Sequence, residues 1–160
     1  MKENFKKNIL NFLIILILFF ADRLSKIYVL KLAELDSVVD IYLTSYLNFY
    51  LIWNKGIAFG LLSFNDSLIY NAITIIIGII SIIVLVMAIK TSGIKKYSLL
   101  FVFAGSIGNL FDRIHYSAVP DFIDFHVNDF HWFVFNIADI FITLGIMCLI
   151  LDEIFINNKK

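Results

Sequence analysis

The stretch Asp121–Asp139, DFIDFHVNDFHWFVFNIAD, decides how this chain is read. Val119 and Pro120 precede it, and it runs out of one apolar segment, across a short loop and into the next apolar segment. An acid stands at each end. Asp139 lies inside a largely apolar run, Phe133 to Leu151, where an ionised side chain is costly in hydrocarbon. An acid in such a place needs a reason. With a helix taken to begin near Trp132, Asp139 is expected about seven residues, roughly 10 Å, along it. Asp121 lies in the loop ahead, which is long enough to fold back. The expectation is two carboxyls meeting at a membrane surface.

Composition supports a membrane. Of 160 residues, 61% are hydrophobic and 16% charged, with a mean hydropathy of +0.89. A soluble domain is nearer half apolar. A formal net charge of zero gives no sign of nucleic-acid binding. The single cysteine, Cys148, sits among Ile, Leu and Met. It has no internal disulfide partner and no C-x-x-C spacing, so it reads as lipid-facing or helix-packing filler.

Working outward, four apolar segments appear, at about 8–30, 68–89, 97–113 and 132–155. The first follows Lys2, Lys6 and Lys7 and has the look of a signal peptide. No small-x-small site follows it, so it is expected to be retained. Its uninterrupted part, Ile9–Ala21, is 13 residues with Asn11 the one polar member. That is about 20 Å of helix, short of a hydrocarbon core of roughly 30 Å. A full span must continue through Asp22, Arg23, Ser25 and Lys26. The third segment holds Ala104-Gly105-Ser106-Ile107-Gly108, small residues that let helices approach closely. Between the first two segments, the outer loop 31–67 has an aromatic middle, Leu43–Trp53, suited to strands at an interface. The expected fold is therefore an all-α membrane protein of one domain. It has four transmembrane helices and a small extracytoplasmic β-structure in the first outer loop.

Lysine and arginine set the orientation. The start, the 90–96 turn and the tail hold eight of the 13, whereas residues 114–131 hold none. Positive residues stay in the cytoplasm. Both termini are thus expected on the cytoplasmic side of a multi-pass membrane protein, with both longer loops outside. Asp22, Asn54, Arg113, Asp121 and Asp139, from separate parts of the chain, then converge near the outer surface.

Two carboxyls a few ångströms apart share one proton. The ionised one takes a proton from water, and the protonated one donates to a peptide carbonyl. Such hydrolysis needs no metal, cofactor or nucleophilic Ser or Cys. Other readings compete. Asp22 and Lys26, four apart in the favourable order, could be a self-neutralised pair snorkelling at a helix end. Asp112-Arg113 could be an interface ion pair, although Arg113 is expected to brace the outer polar cluster. Asn136 is expected one helical turn from Asp139. Asp124-x-His126 and Asp129-x-His131 have ligand-like residues but no H-E-x-x-H and no helical His pair. They read as an exposed polar loop, and no metal is expected. A small proton or solute transporter with Asp22, Asp112 and Asp139 as a relay is the main rival. Against it, the inner halves Ile9–Leu16 and Ile146–Ile150 are nearly bare of polar groups. A structural protein whose polar groups only join helices would leave Asp121 unexplained.

Five motifs then resemble those of bacterial lipoprotein signal peptidases (signal peptidase II), over essentially the whole length. Asp22-Arg23-Leu24-Ser25-Lys26 is similar to D-x-x-(S/T)-K, and Asn54-Lys55-Gly56-Ile57-Ala58-Phe59 to N-x-G-x-A-F. Gly105 to Arg113 resembles G-x-x-G-N-x-x-D-R, Val119 to Ile123 resembles V-x-D-F-(I/L/V), and Phe135 to Asp139 resembles F-N-x-A-D. The resemblance implies an aspartic endopeptidase with Asp121 and Asp139 as its catalytic dyad. It implies that Asp22, Lys26, Asn54, Gly56, Gly108, Asn109, Asp112, Arg113 and Asn136 support the site or the substrate. The implied substrate is a prolipoprotein, cut just before a diacylglyceryl-modified cysteine. The implied setting is membrane lipid and a monomer, with globomycin-type cyclic depsipeptides as inhibitors. Two positions depart from the pattern: Ala104 where glycine is usual, and Ile140 where serine is usual.

Overall fold

The computed structural model describes residues 2–36, 39–56, 67–128 and 130–155. In chain order they form α1 (Lys2–Asp36), β1 (Asp40–Thr44), β2 (Leu47–Asn54), α2 (Ser67–Lys90), α3 (Gly93–Tyr116), β3 (Val119–Val127), β4 (Phe130–Phe135) and α4 (Ile137–Phe155). The four helices are accompanied by one antiparallel sheet in the order β1-β2-β3-β4. By length and composition alone, α2 is the one described helix apolar enough to cross a membrane.

The third helix is the hub. It packs on α4, α2 and α1, and its small residues allow this. A Cβ added at Gly105 would stand 2.4 Å from the Ala138 carbonyl oxygen. One added at Gly145 would stand 2.6 Å from the Ser98 carbonyl oxygen. The α3 and α4 backbones therefore touch directly, as small residues permit. Between α2 and α3 the chain turns through Gly93 at φ +65, a left-handed conformation open to glycine.

The sheet packs its apolar side on the far end of α1. Val29, Val39, Phe122 and Ile123 form a buried cluster there, with Leu47, Phe49 and Ile140 against it. The aromatic Leu43–Trp53 stretch forms strands as expected, but the sheet is larger than a first-loop hairpin. Half of it comes from the segment between α3 and α4, where the sequence predicts a loop over Ile114–His131. The fourth helix, expected from about Trp132, begins at Ile137. Residues Phe130–Phe135 are strand instead. FHWFVF is aromatic and β-branched, which favours a pleated surface, and a short apolar run gives the same hydropathy signal in either state.

Candidate active site

Asn54, Asp121, Asn136 and Asp139 stand at or near element ends, whereas Asp22 and Lys26 stand within α1 and Asn109 within α3. Asn136 sits between β4 and α4 and supplies the N-cap. Its Oδ1 accepts from the Asp139 N–H at 3.1 Å, and its own N–H donates to Asp139 Oδ2 at 3.2 Å. This reciprocal pair is a capping box with Asp in the third position. Asp139 thus stands in the first turn of α4, not several residues along it, and Asn136 precedes the helix rather than lying a turn away within it. The acid sits where the positive end of the helix favours a carboxylate.

Asp121 is on β3 and 3% exposed. Asn54, at the end of β2, pairs in register with Val119. Asn54 therefore shares a sheet face with Asp121, two residues further on. Its Nδ2 donates to Asp121 Oδ2 at 2.9 Å, and Asn136 Nδ2 donates to Asp121 Oδ1 at 2.6 Å. Asp139 Oδ1 accepts from Asn109 Nδ2 at 2.8 Å. Both acids line one cavity of about 200 Å³, together with Asn54, Asn109, Arg113 and Asn136. Burial pushes the Asp121 carboxyl up to about 7, and the neighbouring Asp139 charge adds to this, while the hydrogen bonds from Asn136 and Asn54 oppose it.

Behind Asn109 lies a closed network of four charges. Lys26 Nζ donates to Asn109 Oδ1 at 2.9 Å, and meets Asp22 Oδ1 at 2.8 Å and Asp112 Oδ2 at 2.6 Å. Arg23 bridges the same acids, at 2.9 Å to Asp22 Oδ2 and 2.5 Å to Asp112 Oδ1. Lys26, Asp22 and Asp112 are 0% exposed, so this is no snorkelling pair. Two cations balance two anions, as burial requires. Asp22 Oδ1 also accepts the Ala138 N–H at 3.1 Å, fixing the start of α4. Gly108 makes room for this, since a Cβ there would stand 2.8 Å from Asp22 Oδ2. The chain of contacts runs from Asp112 through Lys26 and Asn109 to Asp139. Asp22 and Asp112, which a proton relay would need free, are locked in ion pairs.

Arg113 braces the other side. Its Nη2 donates to the Gly56 carbonyl, and its guanidinium lies 5.6 Å from the Tyr70 ring centroid. Gly56 N–H in turn donates to Asn54 Oδ1 at 2.8 Å. The rest of the glycine-containing loop, residues 57–60, lies outside the described residues, as does Asp129. Arg113 Nε and Nη1 are buried with no hydrogen-bond partner among the described residues. All eleven residues singled out in the sequence thus fall in one connected constellation. Arg23 was not among them, although a cation beside Asp22 in an apolar run was a signal. Ser106 was also missed. It lines the cavity, and its hydroxyl is 2.5 Å from that of Ser81.

With this geometry in view, similarity to known proteins is informative. The family model described as Signal peptidase (SPase) II matches residues 14–155. The chain is 57% identical to the lipoprotein signal peptidase of Pelagibacter ubique (strain HTCC1062) over 159 residues, 99% of this chain and 96% of that one. It is 35% identical to the lipoprotein signal peptidase of Anaplasma phagocytophilum (strain HZ) over 153 residues, 93% of this chain and 94% of that one. In fold it is similar to a solved structure described as a bacterial membrane enzyme at 2.3 Å resolution. The TM-score is 0.73 at 24% identity, covering 94% of this chain and 90% of that one.

Proposed function

This chain belongs to the signal peptidase II family, and from that premise we propose that it is an aspartic endopeptidase that removes signal peptides from prolipoproteins. The cut falls just before a diacylglyceryl-modified cysteine. Asp121 and Asp139 are the dyad, sharing one proton. The ionised member draws a proton from water, and the protonated member donates to the scissile carbonyl, giving a gem-diol without a covalent intermediate. The observation that carries this reading is the pair of carboxyls on one small cavity, with Asp121 raised to about 7 by burial and by Asp139.

The other residues position the pair. Asn54 and Asn136 hold Asp121, and Asn109 with the Asn136 N–H holds Asp139. Lys26, Asp22 and Asp112 orient Asn109 and the start of α4. Arg113 fixes Gly56 and keeps two buried donors facing no partner, suited to a peptide carbonyl. All four helices span the bacterial inner membrane, with both termini cytoplasmic and the sheet outside. Supporting this, α2 exposes Ile75, Ile76, Ile79, Ile80, Ile82 and Ile83 by 51–63%, a broad apolar face opposite its contact with α3 that suits lipid. An apolar cleft lined by Trp132, Phe133, Ile140 and Leu144 runs up to Asp139, matching a substrate whose acyl chains stay in lipid.

The test is cleavage by the purified protein, in detergent, of a prolipoprotein with and without the diacylglyceryl group. The modified form is expected to be cut before its cysteine and the unmodified form left intact, with globomycin blocking the cut. Equal cleavage of both, or of neither, would defeat the substrate assignment.

A further inference from the structure

A second cluster lies on the outer sheet, apart from the dyad. Asp124 and His126 are on β3 and His131 is on β4, where it pairs in register with His126. Asp124 Oδ2 is 2.8 Å from His131 Nδ1 and 3.7 Å from His126 Nδ1. One donor atom from each residue lies within 4.8 Å of the other two. The imidazole rings stack with centroids 5.0 Å apart. Asp124 is 3% exposed and His126 9%. Asp124 Oδ1 and His126 Nδ1 are nevertheless buried with no hydrogen-bond partner among the described residues, as is Oδ1 of Asn48, which faces Asp124 across the β2–β3 pairing. Buried polar atoms left unsatisfied are costly and call for a partner.

We propose that Asp124, His126 and His131 form a binding site for a divalent ion of the zinc class. The donor set selects the class: two imidazoles and one carboxylate suit zinc and its neighbours, whereas calcium and magnesium take all-oxygen shells. The spacing fits as well. Tetrahedral zinc, at about 2.0–2.1 Å from each nitrogen or oxygen, holds its ligands roughly 3.3 Å apart. The two carboxylate–imidazole distances, 2.8 and 3.7 Å, bracket that value, and all donors lie within 4.8 Å of one another, so turning the imidazoles toward a common point seats the ion. Access runs through a cleft of about 410 Å³ lined by Asp40, Asn48, Tyr50, Asp124 and His131, which leaves the fourth coordination position to water. The ion would pin β3 to β4. That hairpin carries Asp121 near the start of β3 and leads to Asn136 after β4, both at its open end, so loading would stiffen the support of the dyad without taking part in cleavage. The inference stands independently of the peptide-cutting reading.

The test uses the full chain in detergent, purified without a polyhistidine tag and stripped with a chelator. Zinc titrated by calorimetry is expected to bind at one ion per chain with micromolar or tighter affinity. Cobalt(II) is expected to give the intense visible bands of a tetrahedral site, and zinc to raise the thermal midpoint. His126→Gln and His131→Gln should each weaken binding by about tenfold or more. His115→Gln, outside the cluster, should not. His131 has a 56% exposed side chain, so its replacement by glutamine costs little packing, and circular dichroism checks the fold. No stoichiometric binding by the wild type, or binding unchanged in both cluster variants, would overturn the proposal.

Discussion

Gly105→Ala probes how closely the site depends on helix approach. The added methyl would stand 2.4 Å from the Ala138 carbonyl oxygen and 2.8 Å from Ile142 Cγ1. The first contact is backbone and has no rotamer to escape into. Relief needs α3 and α4 to part by about 1 Å to reach ordinary contact. Overpacking of this kind costs about 3 kcal/mol, and alanine's better helix propensity returns about 1 kcal/mol. The expected net loss is roughly 2 kcal/mol. The functional loss is larger in proportion. Asn109, one turn on from Gly105, donates to Asp139 at 2.8 Å, and parting the helices by about 1 Å breaks that bond. Misplacement on this scale costs on the order of 100-fold in turnover. The assays are denaturant unfolding in detergent and cleavage kinetics at saturating substrate. Gly78→Ala is the control, because its Cβ would meet only Leu110 Cδ2 at 3.8 Å; it should keep activity and stability. Gly105→Ala with wild-type stability and turnover would refute the argument from close backbone contact.

Further predictions concern the charges and the cap. Lys26→Met leaves Asp22 and Asp112 buried with one cation between them, so unfolding in denaturant should show a loss of about 3–5 kcal/mol. Asn136→Ala removes the helix cap and a donor to Asp121; the cap alone is worth about 1 kcal/mol, and kcat should fall with KM little changed. The pH dependence has a definite sign. The Asp121 carboxyl, raised from 3.8 to about 7, favours the protonated form in the fold, so its contribution to stability is full below 3.8 and is lost as pH rises through about 7. The shared proton goes over the same range, so kcat/KM should fall by about tenfold per pH unit above about 7. A rate that keeps climbing through that region would contradict the shared proton.

Much of this site was legible because its residues sit where they are expensive. Asp22, Lys26, Asp112 and Asp139 interrupt apolar runs, and each is in the constellation. What hydropathy missed was the state of short apolar segments. Trp132–Phe135 reads as the head of a helix by hydrophobicity alone, yet belongs to β4, so Asp139 shifts to a first turn. The signal lay in Asn136-x-x-Asp139, a capping pair that marks a helix start. The polar loop with Asp124, His126 and His131 also proved to be paired strands, since burial by neighbouring strands leaves no trace in a loop-like composition. Arg23 stands beside the i, i+4 pair of Asp22 and Lys26, and its reach to Asp112, on α3, is a tertiary fact that local spacing does not carry.

The account rests on two acids acting together, and one measurement addresses that most directly. Wild type, Asp121→Asn and Asp139→Asn, each shown folded by circular dichroism, are given a diacylglyceryl-modified prolipoprotein in detergent. The account predicts cleavage by the wild type and no detectable cleavage by either variant. Substantial cleavage by a folded Asp121→Asn or Asp139→Asn protein would contradict it and make that acid a structural group.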